Sequence, residues 1–390
     1  METTKYIFRK NIKQYAMLIA LFVIMIFFQI ASKGVLLVPM NITNLILQNA
    51  YVFILATGMT LCILTGGNID LSVGSVVAFI GALCGTFIIN MKMDVGLSII
   101  LALLIGVLIG AWQGFWIAYA RIPAFIVTLA GQLMFRGLTI FILKGLTIGP
   151  FPESFQQISS GFVPDMLGNR PGQLNGTAML MGTAAVLLYS FYQIKHRTSH
   201  RREGFEVLPL TVFIVQVVAV DAVIMLLSVW LARYKGLPII FIIIGFLVLA
   251  YSFFTSRTVP GRYLYATGGN EKAAQLSGIN TNKVLFFAYV SMGALAAVAG
   301  VAFTSRLNAA SPQSGLNFEL DAIAACYIGG ASAYGGIGTV IGSIIGALVM
   351  GVLNNGMSIL GIGSDVQQIV KGLVLLVAVA FDVLSKRKAR

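Results

Sequence analysis

Apolar stretches follow one another along this chain with short polar breaks between them. About twelve are long enough to cross a ~30 Å hydrocarbon core at ~20 residues per crossing. They lie near 15–32, 44–65, 71–90, 97–119, 123–143, 178–194, 209–232, 237–255, 284–303, 320–334, 338–359 and 366–384. The stretch 320–334 is the shortest and reads as half a helix. The largest polar break between them is 256–283, with Arg257, Arg262, Lys272 and Lys283 against one acid, Glu271. Inside it Asn270 can cap a helix start, Glu271 sits where the helix dipole favours an acid, and Gly278 can take the left-handed position after the end. The pattern predicts a helix of about two turns, 271–277, too short to persist without a docking surface. Ala273 and Ala274 offer a small face for such docking.

Composition makes a soluble fold untenable. Of 390 residues 58% are hydrophobic and 10% charged, where a soluble protein carries roughly 25% charge. Mean hydropathy is +0.92. The expected fold is all-α and membrane-integral, a polytopic bundle of about 10–12 spans with broken or re-entrant helices. A single transmembrane domain over 1–390 accounts for the pattern. The 42 glycines point to close helix packing, and Gly81/Gly85, Gly106/Gly110/Gly114 and Gly342/Gly346 have small-xxx-small spacing.

The net charge of +13 would suggest nucleic acid in a soluble protein. Here it follows from orientation, because basic loops stay in the cytoplasm. Lys5, Arg9, Lys10 and Lys13 precede the first span and Lys386, Arg387, Lys388 and Arg390 follow the last. Both termini are therefore expected inside, with 144–177 and 304–319 as external loops. The loop 195–206, which contains His196 and His200, is basic for the same reason. Cys62, Cys84 and Cys326 lie in apolar segments without paired spacing, so neither a disulfide nor a metal is expected.

Two stretches break the apolar pattern with glycine. Thr65-Gly-Gly-Asn-Ile-Asp-Leu-Ser-Val-Gly-Ser75 places Gly66, Gly67, Asn68, Asp70, Ser72 and Gly74 where a continuous helix would fail. Such backbone must face protein or a water-lined cavity. Asp70 can meet a polar solute or cap the next helix, and the cap needs no substrate to explain it. Ile328–Gly338 is a partial echo. Downstream, Ile105–Gly114 loosely matches Ile345–Gly356, as expected of two related halves with a path between them. Gln113, Asn354 and Asn355 can line that path or bond helices together. Arg136, Lys371 and Asp221 are ionisable within spans, with Asp321 and Asp382 at span edges. Asp221 is read as a structural hydrogen-bonding residue, and Arg136 as pairing with Asp70 or a backbone carbonyl.

The run Gly261-Arg-Tyr-Leu-Tyr-Ala, then Gly268-Gly-Asn-Glu, Ala273-Ala and Ser277-Gly-Ile279, resembles the coupling loop of ribose/xylose-type sugar permeases, within the superfamily of branched-chain amino-acid permeases. Gly66-Gly-x-x-Asp-Leu-Ser-x-Gly74 and Phe318–Gly336 are similar to further motifs of that family. The resemblance covers most of the chain outside an extra helical pair near 178–232, which longer xylose-type members carry. It implies the permease subunit of an ATP-binding-cassette importer of a monosaccharide of the xylose, galactose, arabinose or ribose type, in a bacterial inner membrane. It further implies a second permease copy, a separate ATPase that holds ATP and magnesium, an extracytoplasmic sugar-binding protein and surrounding lipid. The residues it assigns to coupling are Gly261, Arg262, Asn270, Glu271, Lys272, Ala273, Ala274, Ser277, Gly278 and Ile279. The stretch 66–74 with Gln113, Asn354 and Asn355 is the candidate path.

No Gly-x-x-x-x-Gly-Lys-Ser/Thr loop occurs in the chain, so no ATPase site, cofactor or enzyme activity is expected of it. The alternative is an ion-coupled secondary transporter of a small neutral polar solute. That would call for clustered intramembrane acids or histidines, and the sequence shows an isolated Asp221. A membrane enzyme is disfavoured, because no paired carboxylates or nucleophile set stands at an exposed end.

Overall fold

A computed structural model describes residues 12–168, 174–204 and 207–387. The basic residues Lys5, Arg9, Lys10, Lys388 and Arg390, and the turn Asn169-Arg-Pro-Gly172, lie outside the described residues. In chain order the helices are α1 (Ile12–Ala31), α2 (Pro39–Leu64), α3 (Val73–Gly85, extended by a π turn Thr86–Asn90), α4 (Val95–Ala118), α5 (Ala124–Leu143), α6 (Glu153–Ser160), α7 (Gly176–Arg202), α8 (Leu210–Ala232), α9 (Ile239–Arg257), α10 (Val259–Gly269), α11 (Glu271–Leu276), α12 (Thr281–Leu307), α13 (Phe318–Ile328), α14 (Val340–Ile359) and α15 (Ser364–Arg387). Among the described residues ten helices are long and apolar enough to cross a membrane, and Met17–Ala31 is a shorter apolar helix.

Polar residues just ahead of apolar runs set the helix starts. Asp94 accepts from Leu97 N at α4, Asn175 from Ala178 N at α7, Asn280 from Lys283 N at α12 and Thr339 from Gly342 N at α14. The stretch 320–334 is a half-helix, as its length predicts: α13 ends at Ile328 and a turn-rich loop follows.

The chain divides into two compact units. The larger comprises Met1–Leu36, Leu45–Ser160 and Ile240–Arg390. Small residues bring its helices together, because water-free association rests on close backbone approach. A Cβ on Gly110 would fall 2.4 Å from the Tyr289 carbonyl oxygen, and one on Gly106 2.4 Å from Ala297 Cβ, so α4 lies directly on α12. A Cβ on Gly346 would fall 1.9 Å from the Ala325 carbonyl oxygen, which seats α14 on α13. Gly81 does the same for α3 against Thr304 of α12. The small-xxx-small pairs therefore mark real contacts. Cys62, Cys84 and Cys326 are buried free thiols within this packing.

The loop 304–319 departs from the sequence expectation. Helix α12 continues to Leu307, and the segment after it turns back into the bundle. Gly315 meets Gly74 so closely that a Cβ on either would fall 2.0–2.1 Å from the other's carbonyl oxygen. Arg136 on α5 holds this segment by donating to the Pro312 and Ser314 carbonyls at 2.6 and 2.7 Å. Its partner is thus backbone, not Asp70. A polar segment can enter the bundle because a half-buried cation satisfies its carbonyls.

The smaller unit comprises Leu37–Asn44 and Gly161–Ile239. Its centre is the antiparallel pair α7–α8, in which Gly182 packs on Ser228 and Ser190 donates to Asp221 at 2.6 Å. Asp221 is held by this bond, the structural role read for it. Asp165 accepts from Leu167, Gly176 and Thr177 backbone amides and orders the approach to α7.

Candidate functional site

Two broken helices define the site. Helix α2 ends at Leu64, a coil follows, and α3 begins at Val73. Segment 308–317 descends to the same level, and α13 begins at Phe318. The starts of α3 and α13 meet at Gly74 and Gly315. The far end of α13 lies about 16 Å away, from 11 residues at 1.5 Å each.

Polar side chains converge at that meeting point. Asp70 is 2% exposed and accepts from the Ser72 amide and hydroxyl at 2.8 and 2.6 Å. It braces the start of α3, the cap role, with Ser72 as the N-cap residue. Gln113 on α4 donates to the Ser72 hydroxyl at 2.6 Å. Glu319 and Asp321 occupy the first turn of α13, where the helix dipole favours acids. Gln132 on α5 donates to Glu319 at 3.1 Å. Asp321 is 1% exposed, takes the Tyr51 hydroxyl at 2.7 Å and pairs with Lys371 of α15 at 3.0 Å. Asp321 keeps the span-edge place read for it, in the first turn of α13, and is paired there with Lys371, so Asp221 is not the isolated acid that the sequence suggests. Sequence spacing hides the cluster because its members come from α2, α3, α4, α5, α13 and α15. The run Phe-Glu-Leu-Asp at 318–321 was the available sign, two acids opening an apolar half-helix.

Asn354 and Asn355 are elsewhere. Asn354 donates to Asn49 of α2 at 3.4 Å and Asn355 is buried in α14. The Asn354 contact is the helix-bonding role rather than part of the Asp70–Gln113 group.

A second junction lies where α2 ends. The Leu64 carbonyl accepts from Gly336 N at 3.1 Å. A Cβ on Gly268 would fall 1.8 Å from that same oxygen, and one on Gly336 2.8 Å from Gly269 N. Gly67 (φ +74) lies equally close to the Ala333 carbonyl. Backbone from α10, from the coil after α2 and from the loop after α13 thus meets without intervening side chains. Beside it a cavity of about 340 Å³ is lined by Thr65, Asn68, Arg121, Thr267, Asn270 and Glu271. Residues expected in the path and residues expected in coupling share one wall.

The 256–283 segment is more helical than its polarity implies. Thr258 caps α10, and Gly261 is buried against the Phe254 carbonyl. Helix α11 covers Glu271–Leu276, with Asn270 accepting from Ala273 N and Gly278 at φ +85. Its faces differ from expectation. Ala274 is buried inward, Lys272, Ala273 and Ser277 are exposed, and Ile279 is half-buried. The outward apolar residue is Leu276, 91% exposed. Arg262 is exposed on α10.

Arg121, between α4 and α5, ties α11 down. It donates to Glu271 at 2.6 Å, to Thr281 at 3.3 Å and to Asn282. Partial burial raises the Glu271 carboxyl, but the bonds from Arg121 and Thr281 outweigh it and hold it below the usual glutamate range. A depressed carboxyl contributes above its ordinary pKa and is lost as pH falls through the lower folded value. The clamp is therefore complete at neutral pH and is lost only as pH falls below the ordinary glutamate range. Arg121→Ala is expected to change stability by under about 1 kcal/mol, since the pair is part exposed. It should nevertheless release α11, seen as faster amide exchange confined to 270–280. Unchanged exchange there would mean that α11 is held by packing alone.

Comparison with known proteins decides the family. Residues 41–379 match the model of the branched-chain amino acid transport system / permease component. The chain belongs to this permease family. As a permease of this family it is 39% identical over 379 residues to the xylose transport system permease protein XylH of Haemophilus influenzae, covering 97% of this chain and 98% of that one. It is 38% identical over 380 residues to XylH of Escherichia coli strain K12, covering 97% and 94%. It is 36% identical over 364 residues to the ribose import permease protein RbsC of Bacillus subtilis, covering 93% and 91%. No solved structure matches the chain.

Proposed function

We propose that this chain is the membrane subunit of an ATP-driven importer of a monosaccharide, a xylose-type pentose in the first instance, in a bacterial inner membrane. The observation that carries the mechanism is the glycine junction. Gly268 and Gly269 lie against Leu64, where α2 breaks, and against Gly336, in the loop that follows the half-helix α13. A push on α11 therefore reaches the break after α2 and the loop after α13 through backbone contact. The α11 end faces the cytoplasm on the basic-loop argument. Two permease copies and two ATPase subunits complete the assembly, with ATP and magnesium held by the ATPases. An extracytoplasmic binding protein delivers sugar to the opposite face. Family membership favours this reading over ion coupling, which the absence of acids no longer does.

In this mechanism the ATPase closes and displaces α11, with Leu276 at its tip. Arg121 carries the motion to the α4–α5 turn, and α4 bears the Gln113 bond to Ser72. The buried Asp70, Ser72, Gln113 and Glu319, with the half-buried Gln132, offer donors and acceptors for a sugar's hydroxyls as the bundle rocks. Leu276→Asp is expected to weaken ATPase co-purification by about tenfold or more, as loss of a central apolar anchor does. Because Leu276 is almost fully exposed, the variant should insert normally. ATPase retained in full by Leu276→Asp would place the contact elsewhere.

A further inference from the structure

We propose that the basic end of the α7–α8 pair holds the phosphate of an anionic phospholipid headgroup. A cavity of about 240 Å³ opens there, between the end of α7 and the start of α8. His196, Arg197 and His200 line one wall and Gln193 and Gln216 add amide groups. Phe213 and Val217 form the apolar floor.

The cavity sits at a chemical boundary. Along α7 the exposed side chains from Ala184 to Ile194 are apolar or aromatic, including Leu187, Leu188 and Phe191. From Lys195 the helix is basic, with Lys195, Arg197, Arg201 and Arg202 against Glu203 just beyond its end. Glu203 accepts from Ser199. On α8 the exposed residues Val215 and Val218 continue the apolar surface. An acyl chain lying on this surface brings its headgroup to the cavity mouth. Inorganic phosphate has no use for the apolar part, which is why a lipid is the occupant.

Arg197 is placed for the phosphate. One of its five donors goes to the Leu208 carbonyl and its guanidinium stacks 4.7 Å over Phe213. The fork is thereby fixed in the wall of the cavity, and a planar fork matches phosphate oxygens. Basic pockets between membrane helices are a recurrent way to hold acidic headgroups.

The test uses the purified full chain in detergent, titrated with phosphatidylglycerol, with phosphatidylcholine of the same acyl chains, and with sodium phosphate. Bound lipid is read by native mass spectrometry. Phosphatidylglycerol should be retained selectively, and Arg197→Gln should weaken it about fivefold, the weight of one basic residue near a lipid phosphate. Arg197 also ties the 207–209 segment to α7, so His196→Ala serves as a second variant and should weaken it in the same direction. Arg201→Gln with Arg202→Gln, outside the cavity, should leave retention within twofold. Equal retention of phosphatidylcholine overturns the proposal. So does displacement of the lipid by sodium phosphate alone, or equal loss in the Arg201/Arg202 variant, which would mean diffuse attraction without a site.

Discussion

Gly268→Ala is expected to abolish sugar uptake while the chain still inserts. The added Cβ would lie 1.8 Å from the Leu64 carbonyl oxygen and 2.6 Å from Gly336 N. Those two atoms are partners in the hydrogen bond that closes the junction, and both are backbone. No side chain can rotate away, so α10 must retreat or the bond must break. Overpacking of this kind costs about 1–3 kcal/mol, which a bundle of this size tolerates. Under the proposed mechanism coupling is more sensitive, because the retreat opens the contact through which α11 would act on the break after α2 and the loop after α13. ATPase co-purification should persist and ATP hydrolysis should no longer respond to sugar-loaded binding protein. Gly269→Ala, in the same junction but with an added Cβ that would meet nothing within 4 Å, is the matched control and should transport normally. Normal uptake by Gly268→Ala would show that force reaches the broken helices by another route.

Asp321→Asn should be the most destabilising polar substitution in the bundle. It leaves the Lys371 ammonium, 16% exposed, without its partner. Removing one member of a buried pair costs about 3–5 kcal/mol, because the remaining charge is uncompensated. Replacing both members by apolar residues of similar size is often neutral. Asp321→Leu with Lys371→Met should therefore recover most of the loss in thermal midpoint, measured in detergent. Asp321→Asn alone should show strongly reduced yield. If the double variant is no more stable than the single, the Tyr51 bond to Asp321, and not the ion pair, is what secures α13.

Apolar run length and punctuation made much of this legible in the sequence. The cap at Asn270, the left-handed Gly278 and the half-helix after Phe318 all follow from local rules. The small-xxx-small pairs foretold that α3, α4 and α14 pack closely on neighbours, because a missing Cβ is visible in sequence whatever the partner. Partners across helices were not legible. Lys371 and Asp321 are 50 residues apart, and Arg121 reaches Glu271 across 150. The return of 308–317 into the bundle was hidden for a different reason. Its polar composition suits an external surface, and it enters because Arg136 and the bare Gly74 backbone accept it. Leu276 was passed over because one leucine in a polar loop carries no periodic signal. The inward turn of Ala274 depends on how α11 rotates against α12, which two alanines cannot specify.

The pairing of Lys371 with Asp321 bears on how the protein meets the membrane voltage. Moving one unpaired charge through 100 mV changes its energy by about 2.3 kcal/mol. Lys371 and Asp321 travel as a neutral couple, and Glu319 lies in the field of Arg136. In the proposed rocking motion the couple of Lys371 and Asp321 moves no net charge, so the transmembrane voltage gains no purchase on the contact between α13 and α15.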